Sequence, residues 1–366
     1  MSKDIDEYIF TKSYTSAVKE CIALKQYNLG LLLGKIITEE GKCVRSNFKR
    51  LNDQLDKMSL SSDNTVIHEV TTMIETPNKI RVKMYCNWCT SQELCELWDR
   101  MSKGDRTWNN IEIVWDDPAD YYVVINSPPI GTVIQPNKTI VFQMEPNMRD
   151  RVFMWGDWAD PSEKDFMYVS KHYNNINNIE WHLSKTYDQL LNEPIIKNKE
   201  YDGVVSAIFS SKYVEPGHIK RIDFTKFLES KGVNLHVYGD NTFGWNQFKE
   251  VLPYHQKDNG LFPYKYSFNA ENFDNSGWFT EKIVDGILSE TLMFYWGCFD
   301  IDRHIDPRAF VRLELNDFEK DLNTIKQAIA EDWYTQRLPY IKQEKLKILN
   351  ELQFFPRLEK IIESKR

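Results

Sequence analysis

The stretch Tyr264–Lys282, YKYSFNAENFDNSGWFTEK, gathers the residue types that can hold a diphosphate. A strand over Tyr266–Ala270 delivers Glu271 and Asn272, and a loop carries Gly277 and Trp278. Thr280 then stands where it can cap a helix whose first turn holds Glu281 and Lys282. A helix start offers N–H groups with no intrahelical acceptor and the positive end of the helix dipole, which suits bound phosphate. Lys282 adds a full positive charge there, and Glu281 can accept from two ribose hydroxyls. The same Thr-Glu-Lys reads equally as the cap and solvated face of a surface helix, and these residues alone leave the two readings level.

Two runs of alternating strand and helix must position this stretch. The first has strands at 79–85, 111–115, 121–125 and 139–143 and a helix at 91–101. The second has strands at 203–208, 234–238, 266–270 and 292–297 and helices at 219–230 and 280–288. Strands alternating with helices predict an α/β protein with parallel sheets, here two Rossmann-type domains facing a cleft. Ligands of such sheets sit beyond the carboxyl ends of the strands, which singles out Glu145, Gly239, Glu271 and Asn272. Residues 5–58 show helical spacing and 59–65 a polar linker. The expected division is a helical extension and linker at 1–65, a first domain at 66–198, a second at 199–331 and C-terminal helices at 332–366 packing back across the domains.

The stretch also resembles the donor motif of the fucosyltransferases of glycosyltransferase family 10. The match runs through Tyr264-Lys265-Tyr266, Glu271-Asn272, Trp278 and Thr280-Glu281-Lys282, then Ile283-Val284-Asp285 to Phe294-Tyr295-Trp296-Gly297. It continues more loosely upstream at Ser210-Ser211, Arg221 and Val237-Tyr238-Gly239. The resemblance implies a GT-B-like fold and an inverting transfer of L-fucose from GDP-fucose to a glycan hydroxyl. It implies donor contacts at Arg221, Tyr238, Gly239, Lys265, Asn272, Trp278, Glu281 and Lys282, with the Arg221 fork on the diphosphate. Phe142-Gln143-Met144-Glu145-Pro146 is similar to the strand end that carries the family's carboxylate base, so Glu145 takes the acceptor proton in this reading. Asp157 is the next candidate, and a Glu capping the turn before Pro146 is the plain alternative. Trp278 stands where the family usually has Tyr, and Phe273 where it has a small Ser. These departures keep two alternatives open: another nucleotide sugar, and a carbohydrate-binding protein of the same fold without catalysis.

A net charge of −8 and a pI near 5.5 argue against binding to nucleic acid, which needs a basic face. Six cysteines are too sparse and irregular for a disulfide framework, and Cys86-Asn87-Trp88-Cys89 lacks the second pair of ligands that zinc requires. The thiols are therefore expected to be reduced and structural. His172, His182, His218 and His255 lack metal-ligand spacing, and Asp116-Asp117 only mimics a metal motif. No metal or cofactor is expected, with a GDP-sugar as donor substrate. No run approaches the roughly 18 apolar residues of a membrane span, so a cytoplasmic protein of bacterial or viral type is expected. The N-terminal helices are a candidate surface for protein contact.

Overall fold

The computed structural model describes residues 79–171, 177 and 179–366. The helices expected over 5–58, the linker at 59–65 and the proposed protein-contact surface lie outside the described residues, as does His172.

The first lobe is a sheet of β1 (Ile80–Cys86), β2 (Thr107–Trp108), β3 (Ile111–Val114), β4 (Tyr121–Ile125), β5 (Thr139–Phe142) and β6 (Tyr168–Ser170). Their order is β2-β3-β1-β4-β5-β6, parallel throughout except for β2 against β3. β4 reads YYVVI and β5 TIVF, with little alternation, because a covered parallel sheet buries both faces of its inner strands. Helix α1 (Ser91–Trp98) follows β1 and begins at a capping box in which Thr90 and Glu93 satisfy each other's backbone N–H.

Helix α2 (Tyr187–Asn192) leads into the second lobe. Its sheet consists of β7 (Val205–Phe209), β8 (Leu235–Gly239), β9 (Tyr266–Ala270), β10 (Leu292–Trp296) and β11 (Phe310–Arg312), in the order β11-β10-β9-β7-β8 and all parallel. Helix α3 (Pro216–Ser230) joins β7 to β8, and α4 (Glu281–Leu288) joins β9 to β10. The first six-stranded and second five-stranded sheets thus each send the carboxyl ends of their inner strands to one edge.

Three helices close the chain: α5 (Phe318–Ala330), α6 (Trp333–Lys347) and α7 (Phe354–Lys365), the last two separated by a π-helical turn at Ile348–Leu352. Helix α6 packs on α4 and β10 of the second lobe. Helix α7 returns to the first, where the Phe354 ring centroid lies 4.6 Å from that of Trp98 and 5.8 Å from that of Phe142. Glu359 on α7 accepts from the Trp108 indole at 3.2 Å. One apolar core therefore runs from Val82 and Ile125 through Phe268 and Phe294 to Phe355 and Leu358.

Candidate functional site

Past β9 the chain forms a loop that Glu271 closes on itself. The Glu271 carboxylate is fully buried and accepts the Thr280 N–H at 2.8 Å and the Thr280 hydroxyl at 2.7 Å. A buried carboxylate needs a counter-charge, and Lys282 Nζ supplies it at 3.3 Å. Thr280 caps α4 as its spacing suggested, accepting from the Lys282 N–H. Asp300 grips the middle of the same loop, accepting from Ser276 Oγ at 2.6 Å and from the Gly277 N–H at 2.7 Å. Burial works against the Asp300 charge, but these hydrogen bonds hold its pKa at about 2.

Glu281 and Lys282 are set at the start of α4 by a buried charge network. Lys257 Nζ lies 2.9 Å from Asp285 and 3.3 Å from Glu281. Desolvation opposes the Glu281 charge, but Lys282 and Lys257 beside it keep its carboxyl well below the ordinary carboxylate range. Asp285 is buried deeper, and there desolvation outweighs Lys257 and raises the pKa. Asp285 also accepts the backbone N–H of His182 at 2.7 Å.

From the first lobe comes Glu145. Asn126 follows β4 in the left-handed conformation (φ 58°), which its short polar side chain tolerates. Its buried Oδ1 accepts the N–H of Met144 at 2.7 Å and of Glu145 at 3.2 Å, fixing the end of β5. The Glu145 side chain faces solvent, yet it lies amid enough protein that desolvation is the largest influence and raises its pKa. Lys282, Arg151 and Lys212 act in the opposite sense, and Glu281 adds to the rise. The carboxylate of one lobe thus shares its electrostatic surroundings with the helix start of the other. Direct bonds join the same loops: the Trp278 indole donates to the Met144 carbonyl at 2.8 Å, and Asn275 to Asn147 at 2.8 Å.

Arg221 is buried on α3, and its Nη1 donates at 3.1 Å both to the Ala270 carbonyl and to Asn272 Oδ1. Desolvation lowers its pKa to about 10, so it keeps its charge at neutral pH. The guanidinium thereby orients Asn272 beneath the loop. Gly217 makes this approach possible: its N–H donates to the Asn272 carbonyl, and a Cβ there would stand 1.7 Å from the Glu271 carbonyl oxygen. The expected result for Gly217→Ala is a lower melting temperature, measured by thermal unfolding, because α3 must retreat from Asn272.

The structure brings Glu145, Arg221, Asn272, Trp278, Glu281 and Lys282 together. It does not bring Lys265, which stands before β9, at the end of the strand opposite Asn272, paired with Asp202 at 2.9 Å. Tyr238 is buried among Tyr201, His236 and Tyr264, its hydroxyl 2.6 Å from that of Tyr264. Gly239 ends β8 on the correct edge (φ 93°), where a Cβ would lie 2.1 Å from the Phe209 carbonyl oxygen, so glycine serves packing there. Asp157 is exposed on a 3-10 turn. Asp116 and Asp117 pair with Arg81 and Lys83, and no group of three or more His, Cys, Asp or Glu able to hold a metal occurs among the described residues.

Sequence reasoning passed over three contributors, Arg151, Lys212 and Lys257, and weighed a fourth, His218, only as a metal ligand. Arg151 faces Glu145, sits 3.6 Å from Glu215 and lies over the Phe273 ring at 5.7 Å. Its signal was the basic pair Arg149 and Arg151 directly after the candidate base. Lys212 adds charge from the loop after β7, and Lys257 braces Glu281. His218 on α3 accepts the Glu215 N–H at its Nδ1. Burial, with Arg221 and Lys212 nearby, lowers its pKa to about 4 and leaves it neutral at pH 7.

In sequence, the chain is 32% identical over 104 residues to an alpha-(1,3)-fucosyltransferase of Helicobacter pylori, a match covering 26% of this chain and 22% of that protein. The likeness is to glycosyltransferase family 10. The chain thus matches only 22% of the length of its curated relative, and no family model matches it. In structure, it is similar to an alpha-glucosyltransferase solved with UDP and a 13-mer DNA, with a TM-score of 0.50, 11% identity, and coverage of 79% of this chain and 100% of that one. An alpha1,3-fucosyltransferase solved with GDP-fucose compares at a TM-score of 0.47 and 16% identity, over 77% of this chain and 94% of that one. The fold is GT-B. No helix of the described residues is long and apolar enough to cross a membrane.

Proposed function

We propose that this protein is an inverting glycosyltransferase that moves L-fucose from GDP-fucose to a hydroxyl of a glycan. The observation that carries the reading is the junction of the two lobes, where the Trp278 indole donates to the carbonyl of Met144, next to Glu145, at 2.8 Å, which sets Glu145 beside the helix start that bears Glu281 and Lys282. In this reading Glu145 removes the acceptor proton as the hydroxyl attacks the anomeric carbon. The N-terminus of α4 and Lys282 take up the charge that develops on the departing diphosphate. Arg221 holds Asn272 in place and contributes its own positive charge to the same region, while Glu281 accepts from the ribose. The sequence match to an alpha-(1,3)-fucosyltransferase supports this assignment. The reaction needs no metal in this scheme, since Lys282, Arg151, Arg221 and Lys212 furnish the positive charge.

A second reading, transfer of a different sugar from GDP, is favoured by one observation: the Trp278 indole N–H is committed to the Met144 carbonyl, and Phe273 projects beside it with ring centroids 6.2 Å apart. Purified protein offered a panel of nucleotide sugars with mixed glycan acceptors separates the two. Turnover with GDP-fucose above all others is the expected result. Turnover with another GDP-sugar selects the second reading, and absence of both binding and turnover with every GDP-sugar overturns both.

A further inference from the structure

The geometry points to a reversible disulfide between Cys86 and Cys89 as a modification site of the first lobe. The two sulfurs lie 3.3 Å apart, and both residues are free thiols. They occupy the turn between β1 and the Thr90 cap of α1, so forming the bond requires only that the sulfurs close on one another within a turn already made. A second observation gives the pair an order of reaction. Cys86 is fully buried, whereas Cys89 is partly exposed beside Asn87 and Trp88, both open to solvent. A small-molecule disulfide can therefore reach Cys89, and Cys86 is positioned behind it to resolve the adduct. Metal binding is the rival use of such a pair, but no third or fourth ligand joins it among the described residues.

The chemistry balances with a small disulfide, RSSR, as oxidant. The Cys89 thiolate attacks one sulfur of RSSR, forming a mixed disulfide and releasing RS−, which takes up the proton lost from Cys89. The Cys86 thiolate then attacks the Cys89 sulfur, the protein disulfide forms, and a second RSH departs. The protein loses two protons and two electrons, and RSSR gains them as two RSH. Burial and the adjacent Cys86 push the Cys89 thiol up to about 12, so the reaction is slow at neutral pH and speeds up about tenfold for each unit by which the pH is raised toward that value, as thiolate chemistry requires. The site is close to the candidate base: Cys86 pairs in register with Ile125, and the next residue, Asn126, fixes the backbone of Glu145.

The test exposes the full chain to excess oxidised glutathione at about pH 8.5 and again about one unit higher, where the thiolate fraction of Cys89 is about tenfold larger. Free thiols are then alkylated, and the peptide spanning Met84–Arg100 is sequenced by mass spectrometry. The expected product is that peptide lighter by two hydrogens, with Cys86 and Cys89 unalkylated and Cys95 alkylated, and fully restored by dithiothreitol. Cys86→Ser should halt at a stable glutathione adduct on Cys89, and Cys89→Ser should form neither product. A wild-type chain that stops at the adduct, or in which both thiols remain alkylatable, overturns the proposal. The wild-type peptide map decides the matter even if a variant folds poorly.

Discussion

Glu145→Gln is expected to slow sugar transfer by about a hundred- to ten-thousand-fold, the usual contribution of a positioned base, while GDP affinity stays unchanged. The substitution conserves shape and leaves both Asn126 hydrogen bonds in place, since these go to backbone N–H groups. The donor contacts proposed above lie on the other lobe, so a loss of nucleotide binding would instead mark Glu145 as a structural prop. The same residue fixes a pH dependence. Desolvation raises the Glu145 pKa above the ordinary carboxylate value, and only the deprotonated form can accept a proton. Transfer should therefore rise with pH through a midpoint above that of a free glutamate, about 4.3. Steady-state rates for wild type and variant across the acid range test both statements, and a variant with full activity assigns the base elsewhere.

Lys257→Met is expected to be the most damaging substitution for stability at the site. It leaves Asp285, only 1% exposed, without the cation 2.9 Å away. Breaking a buried pair by removing one partner costs about 3–5 kcal/mol, which for a chain of this size lowers the melting temperature by roughly 4–7 °C. The double variant Lys257→Met with Asp285→Asn should recover much of that loss, because an amide oxygen can still accept the His182 N–H. Additive losses in such a cycle would show that the pair contributes nothing as a pair. Nucleotide affinity should fall in Lys257→Met beyond what instability explains, since Glu281 loses a partner at 3.3 Å.

The elements that were legible in the sequence are those whose own residues determine them. β4 and β5 are unbroken runs of β-branched and aromatic side chains, β10 is an unbroken apolar run, and Thr280 announces α4 by its position alone. The strands β2, β6 and β11 have two or three residues each and exist only because a neighbouring strand is there to pair with. Side-chain roles divide in the same way. The spacing of Glu271, Asn272, Glu281 and Lys282 within one strand-loop-helix places them together whatever the rest of the chain does. Arg151, Lys212 and Lys257 reach the site by tertiary placement, which local spacing does not encode. Lys265 and Tyr238 belong to the motif region, but strand direction carries Lys265 to the far edge, and a buried cluster with Tyr201 and His236 claims Tyr238. The resemblance placed Trp278 among the donor contacts; in the fold its N–H spans the lobes to Met144.

The loop between Asn272 and Phe279 is closed by the bonds from Thr280 back to Glu271 and held in its middle by Asp300. A jaw held this firmly keeps one outline whether empty or full. It discriminates among guests by refusing those that do not fit, instead of reshaping around each in turn. Under the proposed function, broad tolerance of sugars is therefore not open to this loop, and a change of guest would come through a change of its residues, with Phe273 and Trp278 the natural places for it.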